Sequence, residues 1–137
     1  MAEMTANTKE KKEVLLEVKG LTKYFTVEKN LLGKPTSVLK AVDDVSFKIY
    51  KGECLGLVGE SGCGKSTIGK MLVNLYKPTS GQIFFEGKEL TAMKAGERRE
   101  YCKDIQLIFQ DPYASLNPRM TIGDIIAEPM IINNLVP

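Results

Sequence analysis

The sequence predicts an α/β protein in which an antiparallel β-region precedes a unit of buried strand, loop and helix. First, Val45, Phe47 and Ile49 alternate with polar residues, a period of two that is typical of a half-buried antiparallel strand. Second, residues 54–58 are apolar throughout, which predicts a strand covered on both faces. Third, apolar residues at helical spacing follow a glycine-rich segment and predict a helix that packs by one face. These residues are Ile68, Met71, Leu72 and Leu75.

Local composition predicts the elements before this unit. Residues 1–13 are polar and are expected to form a disordered tail. Apolar stretches predict extended segments at residues 14–18, 24–27 and 38–42. Glycine, proline or paired aspartates predict a loop or turns at residues 28–37, 43–44 and 51–53.

The rest of the chain predicts further alternation of strands and helices. Expected in order are a strand at 82–85, a turn at 86–87, a surface helix at 91–103, a buried strand at 105–109 and a loop at 111–118. Thr121 and Asp124 are spaced to cap a final helix, since a side chain at each position can satisfy a free amide of the first turn. Ile122, Ile125 and Ile126 would form the apolar face of that helix.

Composition excludes several classes of function. The 137 residues include no histidine, which excludes Ser-His-Asp and Cys-His nucleophiles and imidazole metal sites. The formal charge of +2 argues against a dedicated nucleic-acid binder. Three cysteines without a Cys-x-x-Cys pair suggest reduced thiols in a cytosolic protein. Neither a signal-peptide core nor an apolar run of about 20 residues is present, so we expect a soluble chain.

Residues 59–67 read Gly-Glu-Ser-Gly-Cys-Gly-Lys-Ser-Thr, which matches the phosphate-binding pattern G-x-x-x-x-G-K-[ST]. Glycines let the backbone N–H groups approach an anion, and a helix that begins there adds its positive dipole end. Lys65 is expected to reach the β- and γ-phosphates, and the Ser66 hydroxyl to ligate Mg²⁺. The predicted nucleotide-binding residues of the loop are Gly59, Ser61, Gly62, Cys63, Gly64, Lys65, Ser66 and Thr67.

Cys63 admits two interpretations. Its position beside Lys65 and a helix N-terminus suggests a reactive thiol. Alternatively, it is only a small residue in a variable position of the loop. In either case, we expect bound nucleotide to protect Cys63 from alkylation.

Several segments together resemble the N-terminal half of an ABC-transporter ATP-binding subunit. These are an aromatic residue at position 25, the loop at 59–67 and the sequence Ile-Phe-Gln-Asp-Pro at 108–112. The longer run from Gln110 to Pro129 resembles the oligopeptide/dipeptide importer subfamily. The resemblance covers residues 14 to about 135, and related importers carry nickel, glutathione or other small solutes.

The resemblance implies roles for residues outside the loop. Phe25 resembles the aromatic that stacks on the adenine of ATP, and Tyr24 is the competing candidate because the register can slip by one residue. Gln110 resembles the glutamine that approaches Mg²⁺ and the attacking water. Gln110 and Lys65 are thus the candidate catalytic residues, with Ser66 and Gln110 as candidate metal ligands.

The resemblance also implies that parts of the family pattern are missing. This sequence has no Leu-Ser-Gly-Gly-Gln-type signature, no apolar strand ending in Asp-Glu and no switch histidine. We therefore expect residues 14–137 to be the N-terminal part of a cassette: a P-loop NTPase core with an N-terminal antiparallel β-subdomain, truncated within the helical subdomain. The missing strand would leave a gap in the central sheet, so we expect the isolated chain to be unstable or aggregation-prone.

The function implied is that of an ATPase that energises uptake of peptides or related small solutes. Its partners would be membrane-spanning permease subunits and a second ABC ATPase subunit, in a homo- or heterodimer. It would be cytoplasmic and peripheral on the inner face of the cell membrane. Two alternatives stay open at this point. One is a nucleotide-binding chain that lacks turnover, and the other is a small P-loop kinase.

Overall fold

The computed structural model describes residues 12–29, 35–111, 115–133 and 135. It divides into two compact units, one that ends at Lys94 and one that begins at Ala95, and each is described by itself. Most of the predicted tail, residues 1–11, lies outside the described residues. The elements are β1 (Val14–Lys29), β2 (Pro35–Tyr50), α1 (Lys65–Leu72), β3 (Ser80–Phe85), β4 (Lys88–Glu89), α2 (Ala95–Arg99) and α3 (Ile122–Ile132).

The first unit is built on a four-stranded antiparallel sheet with strand order β2-β1-β3-β4. The predicted antiparallel β-region is therefore confirmed. The stretches 14–18 and 24–27, predicted as separate strands, are one continuous strand, because β1 bends at several irregularities in its ladder with β2 instead of breaking.

The turn predicted at residues 43–44 is wrong. β2 continues through them, and the pairs Leu21–Val45 and Lys23–Val42 leave one extra residue on β2. Asp44 has a φ of 51°, so the two aspartates form a bulge in the strand, and an aspartate tolerates this left-handed conformation.

Apolar side chains from the N-terminal half of β1 form the core with side chains of β3 and α1. Along β1 the buried residues include Leu16, Val18 and Leu21, and α1 contributes Ile68 and Met71. The predicted face of α1 is thus partly confirmed. Its expected member Leu75 lies beyond the end of the helix and is 56% exposed.

The strand predicted at residues 54–58 is wrong. The segment belongs to no strand, and Val58 is 97% exposed. An apolar run forms a buried strand only where a neighbouring strand bonds its amides and carbonyls and other elements cover its faces. No strand in the described part of the chain pairs with this segment.

The second unit contains α2 and α3. α2 spans only Ala95–Arg99 of the helix predicted at 91–103, and hydrogen-bonded turns follow Arg99 in place of further helix. The strand predicted at 105–109 is also wrong. Ile108 in this segment is 92% exposed, and the segment pairs with no strand among the residues that the structure describes. The predicted loop at 111–118 has its residues 112–114 outside the described part.

The capping box of α3 is confirmed. Asp124 N donates to Thr121 Oγ1 at 3.2 Å, and Thr121 N donates to Asp124 Oδ2 at 3.4 Å. The predicted apolar face is present but uncovered, with Ile122 at 78% and Ile126 at 57% exposure. Across the described ranges, no helix is long and apolar enough to cross a lipid bilayer.

Candidate functional site

The glycine-rich loop leads directly into α1. The helix begins at Lys65, and its N-cap Gly64 has a φ of 94°. The first turn of α1 carries no acidic residue, so its amides and the positive end of the helix dipole are not neutralised from within the helix. This arrangement favours an anion at the start of α1.

Gly64 fixes the loop against the sheet. It is buried, and a Cβ atom built there would lie 2.2 Å from the Ala41 carbonyl oxygen and 3.2 Å from Val42 Cγ2. No side chain fits in that space, so glycine lets the backbone of the loop approach β2 this closely. The start of α1 is thereby held at a defined position over the sheet.

The ammonium group of Lys65 lies over the loop itself. Lys65 Nζ donates to the carbonyl oxygens of Gly59 at 2.6 Å and Glu60 at 2.7 Å. It also lies 3.3 Å from Cys63 Sγ. The side chain thus folds back across residues 59–63 and places a positive charge beside the start of the helix.

The other predicted residues of the loop offer hydroxyl, thiol and backbone groups. Ser61, Cys63 and Ser66 are exposed, while Thr67 is half-buried. Gly62 has a φ of 84° with open space beside it, and a Cβ at Gly59 would lie 2.6 Å from Cys63 Sγ. These residues suit an oxyanion such as a phosphate, because the glycines keep side chains out of the way and Lys65 supplies a cation beside the start of the helix.

Among the described residues, no three cysteine and carboxylate side chains cluster in a way that could hold a metal ion, and the sequence contains no histidine. A divalent cation in this region would therefore need ligand oxygens from a hydroxyl such as that of Ser66 and from a phosphate.

The two aromatic candidates of β1 lie on opposite faces of the sheet. Lys23 pairs with Val42, so both lie on the face against which Gly64 packs. Phe25 is two residues further along β1 and shares that face, with Lys23 Nζ 5.0 Å from its ring centroid. Phe25 therefore lies on the same side of the sheet as the loop.

Tyr24 belongs to a different cluster. Its hydroxyl donates to Asp43 Oδ1, and Lys40 Nζ lies 5.2 Å from its ring centroid. The hydrogen bond to Asp43 raises the pKa of the Tyr24 hydroxyl, and the same bond, with that from Lys40, lowers the pKa of the Asp43 carboxyl. These contacts hold Tyr24 on the face away from Gly64.

Sequence reasoning missed the surroundings of Phe25. Phe25 packs edge-to-face on Tyr76, with ring centroids 5.5 Å apart and an interplanar angle of 79°. Lys23 Nζ and Lys70 Nζ lie 5.9 and 5.4 Å from the Tyr76 ring centroid. No local pattern signals this cluster, since Phe25 and Tyr76 lie far apart in sequence and meet only through folding.

Gln110 lies in the second unit. It is exposed and directly follows the apolar segment 105–109, outside any strand or helix. The loop residues and Phe25 thus belong to the first unit and lie on one side of its sheet, whereas Gln110 belongs to the second unit.

Comparison with known proteins finds relatives that are transport ATP-binding proteins. The chain is 54% identical over 123 residues to the oligopeptide transport ATP-binding protein OppF of Salmonella typhimurium, a match that covers 88% of this chain and 37% of that protein. It is 47% identical over 130 residues to the dipeptide transport ATP-binding protein DppF of Haemophilus influenzae, covering 95% of this chain and 39% of that protein. The chain thus spans less than two-fifths of the length of these relatives.

Solved structures give the same fold. The dimeric structure of MJ0796, a bacterial ABC transporter cassette, superposes with a TM-score of 0.74 at 25% identity, over 87% of this chain and 48% of that one. The structure of an ATP-binding subunit of an ABC transporter matches with a TM-score of 0.66 at 27% identity, over 89% and 44%. The family model for the ABC transporter matches residues 42–134, a range that includes the glycine-rich loop and Gln110. Because the family model matches more than half of the sequence and the solved cassettes share its fold, the chain belongs to the ABC transporter family.

Proposed function

We propose that the chain is the nucleotide-binding part of an ABC importer ATPase that energises uptake of peptides or related small solutes. The observation that carries this proposal is the loop at 59–67. This loop leads into the N-terminus of α1, and the ammonium of Lys65 is held over the carbonyl groups of the loop. The peptide-transport names of OppF and DppF support the substrate class.

The residues of the loop other than Glu60 have roles that follow from their chemistry. The amides of Gly62 and Gly64 bind phosphate oxygens, and Lys65 exchanges its carbonyl partners for the β- and γ-phosphates. Gly59, Ser61, Cys63 and Thr67 complete the lining of the phosphate site. The exposed Ser66 hydroxyl is the ligand for Mg²⁺, which when bound neutralises charge on the phosphates.

Two residues outside the loop complete the site. Phe25 stacks on adenine, and its place on the Gly64 side of the sheet favours it over Tyr24. Gln110 orients water and contacts the metal, since a neutral amide can both ligate a cation and accept or donate a hydrogen bond.

The assembly we propose follows the relatives. Permease subunits that span the membrane and a second ATPase subunit are the partners, with the protein cytoplasmic and peripheral on the inner face of the membrane. The dimeric MJ0796 cassette supports pairing of two such subunits. The complete protein is an ATPase, whereas these 137 residues bind ATP without efficient hydrolysis, because they lack the Asp-Glu strand end and the switch histidine that the family pattern requires.

The test combines two assays on the purified chain. Mg-ATP binding is measured by calorimetry, and phosphate release is measured over many enzyme equivalents. We expect saturable binding with no sustained release. Sustained release that Lys65→Ala abolishes would overturn the proposal that the chain lacks turnover, and absence of binding would overturn the nucleotide site itself.

A further inference from the structure

We propose that Tyr76 is a positioning residue for the nucleotide base, which acts by holding the ring of Phe25 in a fixed orientation. The inference rests on the nucleotide-binding function proposed above and adds a residue on the base side of that site. Tyr76 does not belong to the phosphate-binding motif, and it follows the C-terminal end of α1.

The contact between the two rings defines the plane of Phe25. The centroids are 5.5 Å apart and the rings are inclined by 79°, the edge-to-face geometry that aromatic pairs prefer. Phe25 is half-buried, so part of its ring surface stays open to a ligand. A ring fixed in this way loses less conformational freedom when a base stacks on it.

Lys23 links β1, which carries Phe25, to the segment that carries Tyr76. Its Nζ donates to the carbonyl oxygen of Lys77 at 2.7 Å while lying 5.0 Å from the Phe25 centroid. Lys70 on α1 lies 5.4 Å from the Tyr76 centroid. Ammonium groups at these distances attract the faces of aromatic rings, so both cations stabilise the pair.

The pair is also linked to the phosphate loop through α1. Gly64 at the start of the helix packs on Ala41 and Val42 of β2. Tyr76, just past the other end of the helix, packs on Phe25 of β1. One short helix therefore sets the position of both the phosphate loop and the aromatic ring, and Tyr76 is the contact that transmits this to the base side.

The experiment compares two ligands on the purified protein, Mg-ATP and Mg-tripolyphosphate, by calorimetry. Only ATP has a base, so a base-positioning residue affects only ATP. We expect Tyr76→Ala to weaken ATP binding by roughly three- to tenfold, the range of an aromatic pair, and to leave tripolyphosphate binding unchanged. Tyr76→Phe keeps the ring and retains wild-type affinity.

Four further variants define the mechanism. Phe25→Ala weakens ATP binding selectively, and the double variant with Tyr76→Ala is no weaker than Phe25→Ala alone, because Tyr76 acts through Phe25. Tyr24→Leu is the matched control on the opposite face of the sheet and keeps wild-type ATP affinity. Tyr76→Leu retains apolar bulk without the edge-to-face contact. If Tyr76→Ala loses affinity for both ligands, the test is whether Tyr76→Leu loses affinity for ATP alone.

The outcomes separate this inference from the function on which it rests. Selective loss of ATP in Tyr76→Ala or Tyr76→Leu supports it. Wild-type ATP affinity in both variants beside a selective loss in Phe25→Ala overturns the role of Tyr76 and leaves the nucleotide site intact. Additive effects in the double variant also overturn it. A wild-type protein that binds neither ligand overturns the proposed function, and the role of Tyr76 with it.

Discussion

Replacement of Gly64 by alanine tests how the phosphate loop is joined to the sheet. The φ of 94° is left-handed, which costs an L-residue roughly 1–2 kcal/mol. The new Cβ would also lie 2.2 Å from Ala41 O, so the loop and β2 must separate by about 1 Å. Overpacking of this kind costs about 1–3 kcal/mol, so the free energy of unfolding of Gly64→Ala should fall by about 2–5 kcal/mol.

Two other glycines provide matched controls. Gly87 has a φ of 78° with nothing within 4 Å of a Cβ, so Gly87→Ala pays only the backbone cost of roughly 1–2 kcal/mol. Gly96 in α2 has neither constraint, so Gly96→Ala should stabilise by about 0.4–1 kcal/mol. Urea unfolding followed by circular dichroism at low protein concentration measures all three. If the midpoint of Gly64→Ala equalled that of Gly87→Ala, the close contact with Ala41 would be refuted.

Three further predictions concern a thiol, a carboxyl and a helix cap. Mg-ATP should slow alkylation of the exposed Cys63 and leave that of Cys102 unchanged, as read by mass spectrometry; equal Cys63 rates with and without nucleotide would contradict it. Hydrogen bonds from Lys48 and Lys19 lower the pKa of the Glu17 carboxyl below its ordinary 4.5. As the pH falls, the unfolded chain therefore takes up a proton at this residue before the folded chain does. Stability should therefore fall as the pH drops below 4.5, and Glu17→Gln should lessen that fall in acid titrations of the urea midpoint. Thr121→Ala should cost about 1 kcal/mol of α3 stability, whereas Thr121→Ser should keep the helical signal in circular dichroism; equal signals would refute the cap.

Elements with local signals could be predicted from the sequence. Alternation at Val45, Phe47 and Ile49 identified β2, because a period of two places every second side chain on one face regardless of what lies further away. The Thr121 and Asp124 pair identified the start of α3 for the same reason, since both residues act within one helical turn.

Elements that depend on distant partners could not be predicted from the sequence. Residues 54–58 and 105–109 have the composition of buried strands, but a strand also needs a neighbour in the sheet, and composition does not report one. The bulge at Asp44 looked like a turn, because both features favour a left-handed residue.

The candidate site divides in the same way. The loop motif could be identified from the sequence, because the phosphate-binding pattern specifies glycines, a lysine and a hydroxyl residue within eight positions, and the binding of phosphate by Lys65 and Ser66 stays a prediction. The packing of Tyr76 on Phe25 could not, because it joins β1 to the segment after α1 and depends on how the helix lies on the sheet. The fold-back of Lys65 onto the carbonyls of its own loop was likewise invisible in the sequence.

The most direct test of the account is the affinity of the wild-type chain and of Lys65→Ala for Mg-ATP. Charge-assisted hydrogen bonds contribute about 1.5–3 kcal/mol, so loss of the ammonium should weaken binding by roughly tenfold to a hundredfold. Gly87→Ala, which alters a turn between β3 and β4, serves as the control and should bind like wild type. Saturable binding by the wild type with this loss in Lys65→Ala is the predicted result. Equal affinity of the two proteins would contradict the assignment of the loop as the phosphate site.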